Sequence, residues 1–140
     1  MRLWNYELLG YLPKSQLIAQ KRECDLMLKD YYEGRKTNHI LINYVWDYPI
    51  EHLYKYYELL EIEFAKRYFE FNSKIQDDGI YIPVRFPFPN HHNSRYLLQN
   101  FFNLQEKYDR GQADFSYEEY KSLENFIKEK GLIRWLKKNY

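Results

Sequence analysis

Between residues 53 and 71, large apolar side chains fall at Leu53, Tyr57, Leu60, Phe64, Tyr68 and Phe71. Steps of three and four residues bring all six to one face of an α-helix, which turns once every 3.6 residues. A β-strand cannot hold them on one side, because its side chains alternate. Asp47 followed by Pro49 is a helix start signal. The spacing therefore predicts a helix over about 49–72, the strongest and most central in the chain. Three more helices can be read around it. Leu17, Cys24, Met27, Leu28 and Tyr31 share a face over about 13–32, with Pro13 in the first turn and Gly34 as the stop. Tyr96, Leu97, Phe101, Leu104 and Tyr108 do so over about 91–108, ended by Asp109-Arg110-Gly111. Ser116 and Glu119 have capping-box spacing ahead of a helix over about 117–130, with Gly131 at its C′ position.

The segments between are less regular. Residues 1–12 read as an N-terminal arm loosened by Gly10, and residues 34–39 as a basic loop. Ile40 to Trp46 is β-branched enough for a strand but has no clear pairing partner, so it reads as a buried connection or a short helix. Asp77-Asp78-Gly79 is a turn signal. Pro83, Pro87 and Pro89 require an extended stretch from Gly79 to Pro89. The expectation is all-α: one compact domain over residues 1–140, with about four helices and an extended proline-rich segment.

Composition narrows the function classes. A chain of 140 residues can bury an adequate core without disulfides or a metal. Its one cysteine, Cys24, cannot form an internal disulfide, which points to a reducing compartment and a cytoplasmic location. No apolar run approaches the roughly 20 residues of a membrane span. Asn5, Glu7 and Lys14 interrupt any signal-peptide pattern. With 21 Lys+Arg against 20 Asp+Glu, the net charge is only +1, which disfavours a strongly basic nucleic-acid-binding domain. Aromatic residues make up 20% of the chain. A core of large rings with tyrosine hydroxyls at its edge accounts for them more readily than a surface that stacks bases.

No phosphate loop, HExxH, paired-cysteine zinc pattern or nucleophile elbow is present. His91-His92 is the only histidine pair; adjacent helical residues diverge by about 100°, so the pair reads as two exposed histidines and not as metal ligands. His39 and His52 read as satisfied or surface residues, and Cys24 as an inert buried thiol. No metal and no cofactor are expected. On the first helix, Glu23 lies at the flank of the apolar stripe, in line with Gln16 and Asp30. Arg22 lies nearly opposite the stripe, in line with Ser15 and Lys29. Glu23 should thus sit at the core edge, and Arg22 should reach solvent or a partner.

The N-terminal half carries a resemblance. Met1-Arg2-Leu3-Trp4, Leu12-Pro13, Gln16-Leu17, Gln20-Lys21-Arg22-Glu23-Cys24 and Thr37-Asn38-His39-Ile40-Leu41-Ile42-Asn43 stand in order from the N-terminus. This set resembles the pyrimidine-dimer DNA glycosylase family, the phage-type UV endonucleases, and is nearest to its bacterial branch that opens Met-Arg-Leu-Trp. The resemblance covers residues 1–72 and leaves 73–140 unmatched. It implies an all-α repair enzyme with glycosylase and apurinic/apyrimidinic lyase activity on UV-damaged double-stranded DNA. The nucleophile would be the N-terminal α-amine, here that of Met1. Such amines lose their proton near pH 7.7–8.0, about two units below lysine, so a usable fraction is neutral at physiological pH. Glu23 matches the catalytic glutamate, and Arg22 and Arg2 match phosphate-binding arginines. Gln16 stands where phage-type members have histidine, and Asp25, Leu26 and Met27 stand where a further basic residue would be. Lys21, Arg35, Lys36 and the tail residues Arg134, Trp135 and Lys137 complete the candidate DNA contacts. A monomer without membrane attachment is expected. The competing expectation is a non-catalytic DNA- or protein-binding module with the same fold.

Overall fold

The computed structural model describes residues 1–76 and 82–132. Among them the regular structure is entirely helical: α1 (Lys14–Tyr32), α2 (Ile50–Lys66), α3 (Ser94–Asp109) and α4 (Tyr117–Glu129), with 3₁₀ helices at Tyr6–Tyr11 and Asn43–Asp47. The all-α expectation holds. The segment Ile40–Trp46 resolves as a turn running into the second 3₁₀ helix, with Ile42 and Val45 buried. The sequence-based turn at Asp77-Asp78-Gly79 lies outside the described residues, as do Arg134, Trp135 and Lys137. No helix among the described residues is long and apolar enough to cross a membrane.

The N-terminal arm departs most from expectation. It is the centre of the packing and not a loose lead-in. Leu3, Trp4, Leu8, Leu9 and Leu12 are all buried, and the first 3₁₀ helix packs against both α2 and α4. Tyr11 stacks on Phe126 of α4 at 4.5 Å between ring centroids. Gly10 permits a close approach to α2, since a Cβ there would stand 3.3 Å from Glu63 Oε1. α1 packs on α2, and α3 on α4.

Helix ends follow local chemistry, with one exception. Asn93 caps α3, and Ser116 with Glu119 forms the expected capping box on α4. Gly34 and Gly111 adopt positive φ just beyond α1 and α3, where the left-handed conformation closes a helix at little cost for glycine. α2 closes in the same way with no glycine. Tyr68 takes φ 60°, its N–H donates to Ala65 O, and the Phe69 N–H donates to Phe64 O. The helix expected to reach residue 72 therefore stops at Lys66. Phe71 still reaches the stripe, because the chain folds back and sets its ring edge-on against Tyr57 and Phe64, at 4.9 and 5.1 Å. Tyr68, expected on the buried face, is 97% exposed. On α1, Tyr31 is likewise exposed, and Gln20 joins the buried face.

The proline-rich stretch is also more compact than expected. After residues 82–84 it bends, and Phe88 takes φ 53° with its ring fully buried. The ring packs against Tyr44, Tyr48, His52, Tyr56 and His92. Tyr68→Gly should raise stability by about 0.5–1 kcal/mol, since glycine relieves the left-handed strain of a side chain that buries nothing. Thermal denaturation reads this directly, and an unchanged or lower midpoint would contradict it.

Candidate active site

The backbone of residues 2–6 is irregular and mostly buried, so its polar groups need partners from elsewhere. They find them in side chains from three helices and the turn before α3. The Trp4 N–H donates to Gln20 Oε1 of α1 at 2.7 Å, and Gln20 Nε2 donates to Arg2 O at 2.9 Å. The Tyr56 hydroxyl of α2 donates to Trp4 O at 2.6 Å and also contacts Gln20 Oε1. From α3, the Tyr96 hydroxyl donates to Leu3 O, and Asn100 Oδ1 accepts from Asn5 N. His92 Nδ1 accepts from Tyr6 N at 3.1 Å.

His92 corrects the expectation of two exposed histidines, since only His91 is exposed. Because Nδ1 accepts, the neutral ring carries its proton on Nε2 and donates to the Tyr44 hydroxyl at 2.7 Å. Burial, with a smaller contribution from His91, lowers the His92 pKa to about 3.

Glu23 joins this frame through Gln20, one helical turn earlier. Gln20 Nε2 donates to Glu23 Oε2 at 3.1 Å, and the Arg2 backbone N–H also bonds the carboxylate. Glu23 is half-buried, and desolvation raises its pKa above the ordinary glutamate value. The opposing influences are the N-terminal ammonium, the Arg2 N–H, Arg22 and His39. Met1, Arg2, Arg22 and His39 are thus the groups whose charge or N–H acts on this carboxylate. Met1 itself is 37% exposed. Arg2 lines a cleft of about 460 Å³ together with Leu41, Tyr96, Gln99, Asn100 and Phe102, among others. The Arg2 guanidinium sits 5.1 Å from the centroid of the Trp4 ring.

The other sequence-derived candidates are spread along α1 and beyond. Gln16 is partly buried on the first turns, and Arg22 is exposed. The Lys21 ammonium is engaged, 2.7 Å from Asp25 Oδ2 and 4.8 Å from the Phe71 ring centroid. Arg35 pairs with Asp30 and Glu33 at the far end of α1, and Lys36 is exposed next to it. Cys24 is fully buried, and burial pushes its thiol pKa well up, which keeps it protonated. Among the described residues no group of three or more His, Cys, Asp or Glu side chains is placed to hold a metal ion.

Residues 1–77 match the family model described as pyrimidine dimer DNA glycosylase. The chain belongs to this family. The match takes in the buried arm, α1, the second 3₁₀ helix and α2, and it contains Met1, Arg2, Gln20 and Glu23; α3 and α4 lie beyond it. The chain matches no curated protein and no solved structure. A DNA glycosylase cleaves base–sugar bonds, and its partner is DNA.

Reading the sequence missed Gln20, Tyr56, Tyr96, Asn100 and His92 as the supports of this glycosylase's N-terminal segment. Only Gln20 left a signal, since its position three residues before Glu23 puts the two side chains on one helical ridge. Gln20→Leu should destabilise the fold by about 2–3 kcal/mol, the cost of orphaning buried backbone and hydroxyl groups; chemical denaturation checks it. His92 should remain neutral across pH 8 to 4.5 in an NMR titration, and titration near 6.5 would contradict its placement. The unfolded ring binds a proton below about pH 6.5, while the folded one does so only near 3. The His92 contribution to stability is therefore lost progressively as pH falls from 6.5 toward 3.

Proposed function

We propose that this glycosylase excises UV-induced cyclobutane pyrimidine dimers and nicks the strand as a lyase, with the Met1 amine as nucleophile and Glu23 as its catalytic carboxylate. The observation that carries the reading is the setting of Glu23. A half-buried carboxylate with a raised pKa is held by Gln20 and the Arg2 N–H at the N-terminal segment, within the field of the N-terminal ammonium. Perturbed carboxylates cluster at functional sites, where burial and charged neighbours tune them for catalysis.

In the proposed reaction the neutral amine attacks the sugar C1′ of the 5′ pyrimidine of the dimer. A C1′–N bond forms, the glycosidic bond breaks, and the base leaves with the bonding electron pair. The attached nitrogen gives up a proton, its lone pair then expels the ring oxygen O4′ from C1′, and O4′ takes up a proton as a hydroxyl, which leaves an imine between Met1 and C1′. Glu23 stabilises the developing cation electrostatically. It then accepts a C2′ proton as the C3′–O bond breaks, which cuts the strand on the 3′ side of the sugar. Water hydrolyses the imine and frees the amine. Every covalent step uses groups of the chain, the DNA and water. Arg2 and Arg22 bind phosphates around the lesion, where guanidinium geometry suits bidentate contact. Extruding the damaged nucleotide is easier where base pairing is already weakened.

Borohydride reduction tests the imine. Untagged protein mixed with UV-irradiated duplex should give one covalent protein–DNA band that undamaged duplex does not give. Glu23→Gln should lower strand cleavage at least about 100-fold while binding to irradiated duplex persists. Acetylating the N-terminus should remove the band. Cleavage in Glu23→Gln would end the role of Glu23, and a band from the acetylated protein would end that of the amine. Binding with no band would favour the non-catalytic module. Because the pKa of Glu23 is raised, its protonation should add to the loss of cleavage on acidification while the pH is still above the ordinary glutamate range, and Glu23→Gln should lack that added loss.

A further inference from the structure

On the outer face of α1, Arg22, Leu26, Lys29 and Glu33 follow one another at spacings of four, three and four residues. They form one wall of a pocket of about 400 Å³. Lys74 and Gln76, from the chain that returns after α2, form the other wall. Two tyrosine hydroxyls fix that wall, Tyr57 to Lys74 N at 2.9 Å and Tyr32 to Gln76 N at 3.2 Å. The carboxylates at the pocket are already committed. Asp25 accepts from Lys21 and from the Tyr57 hydroxyl, and Glu33 pairs with Arg35. Arg22, Lys29 and Lys74 have no ion-pair partner among the described residues, and Leu26 and Tyr32 line the same pocket. Leu26 is 48% exposed.

We propose that this pocket is a binding site for the sugar-phosphate backbone of the DNA duplex, with Lys29 and Lys74 as phosphate contacts alongside Arg22 and with deoxyribose packed on Leu26. The inference rests on the DNA-acting function above and adds a strand track that leads away from Glu23. Arg22 and Lys29 are seven residues apart, about 10 Å along the helix axis, a separation that two long side chains can bring to nearby phosphates of one strand. Three cations without an ion-pair partner among the described residues suit a line of phosphates, and the apolar surface of Leu26 suits the sugars between them. This local arrangement also reconciles DNA binding with a net charge of only +1, because affinity depends on the charges that meet phosphates and not on the sum over the chain.

The test is the salt dependence of duplex binding, measured by fluorescence anisotropy on irradiated and undamaged duplexes of one sequence. For Lys29→Ala/Lys74→Ala, the slope of log affinity against log salt should become shallower by about two. Affinity should fall by the same factor for both duplexes, as expected of contacts that do not read the lesion. Leu26→Asp, which removes no cation, should weaken binding to both as well. Lys66→Ala, an exposed lysine at the end of α2, should match wild type, and circular dichroism melts should show all variants folded. A double variant with the wild-type slope and affinity would overturn the backbone site while leaving the glycosylase reading intact. Wild-type protein that binds neither duplex would overturn the glycosylase reading itself.

Discussion

The fold depends on satisfying a stretch of backbone that belongs to no long helix. Leu3, Trp4 and Asn5 are buried just where the chain begins, and irregular backbone inside a protein costs about 1–3 kcal/mol for each unmet polar group. Gln20, Tyr56, Tyr96, Asn100 and His92 meet those groups from α1, α2, α3 and the turn before it. Gln20, Tyr56, Asn100 and His92 are buried and Tyr96 partly so; burying such polar side chains is worthwhile only if they are bonded, and each bonds this segment although Asn100 Nδ2 has no partner among the described residues. The first few residues and the helices around them thus hold one another in place.

That arrangement has a consequence for chemistry. The first residues of a chain ordinarily fray, and a frayed segment would keep no fixed relation to Glu23. Here the residues that follow Met1 are fixed from several directions, and Gln20 bonds both Arg2 O and Glu23 Oε2. One amide side chain links the start of the chain to the acid. The neutral state of His92 serves the same end. Protonation would set an N–H against the Tyr6 N–H that Nδ1 accepts, and burial opposes the charge in any case. The third helix lies outside the stretch matched by the family, yet Tyr96 and Asn100 complete the support of the segment that carries Met1 and Arg2.

Charge is distributed by the same economy. Lys21 and Arg35, both plausible DNA contacts from sequence, spend their charge on Asp25, Asp30 and Glu33. Those pairings occupy the acids that would otherwise neutralise the outer face of α1. Among the described residues Arg22, Lys29 and Lys74 are left without an ion-pair partner beside them.

The sequence alone determined what local spacing encodes. Helix periodicity, the capping box at Ser116, the glycine stops and the half-buried flank position of Glu23 all follow from residues three to four apart. The resemblance carried by Met1–Trp4 and Gln20–Cys24 was legible too, because it is an ordered set of residue types. Tertiary structure decided the rest. It buried an arm that reads as loose, ended α2 at a tyrosine with no breaker signal, and turned His92 inward. It also brought Tyr56, Tyr96 and Asn100 onto backbone groups 52, 93 and 95 residues away. Such contacts leave no periodic trace. A buried hydrogen bond needs only one donor and one acceptor to meet, and the packing of all the helices together determines which pair does.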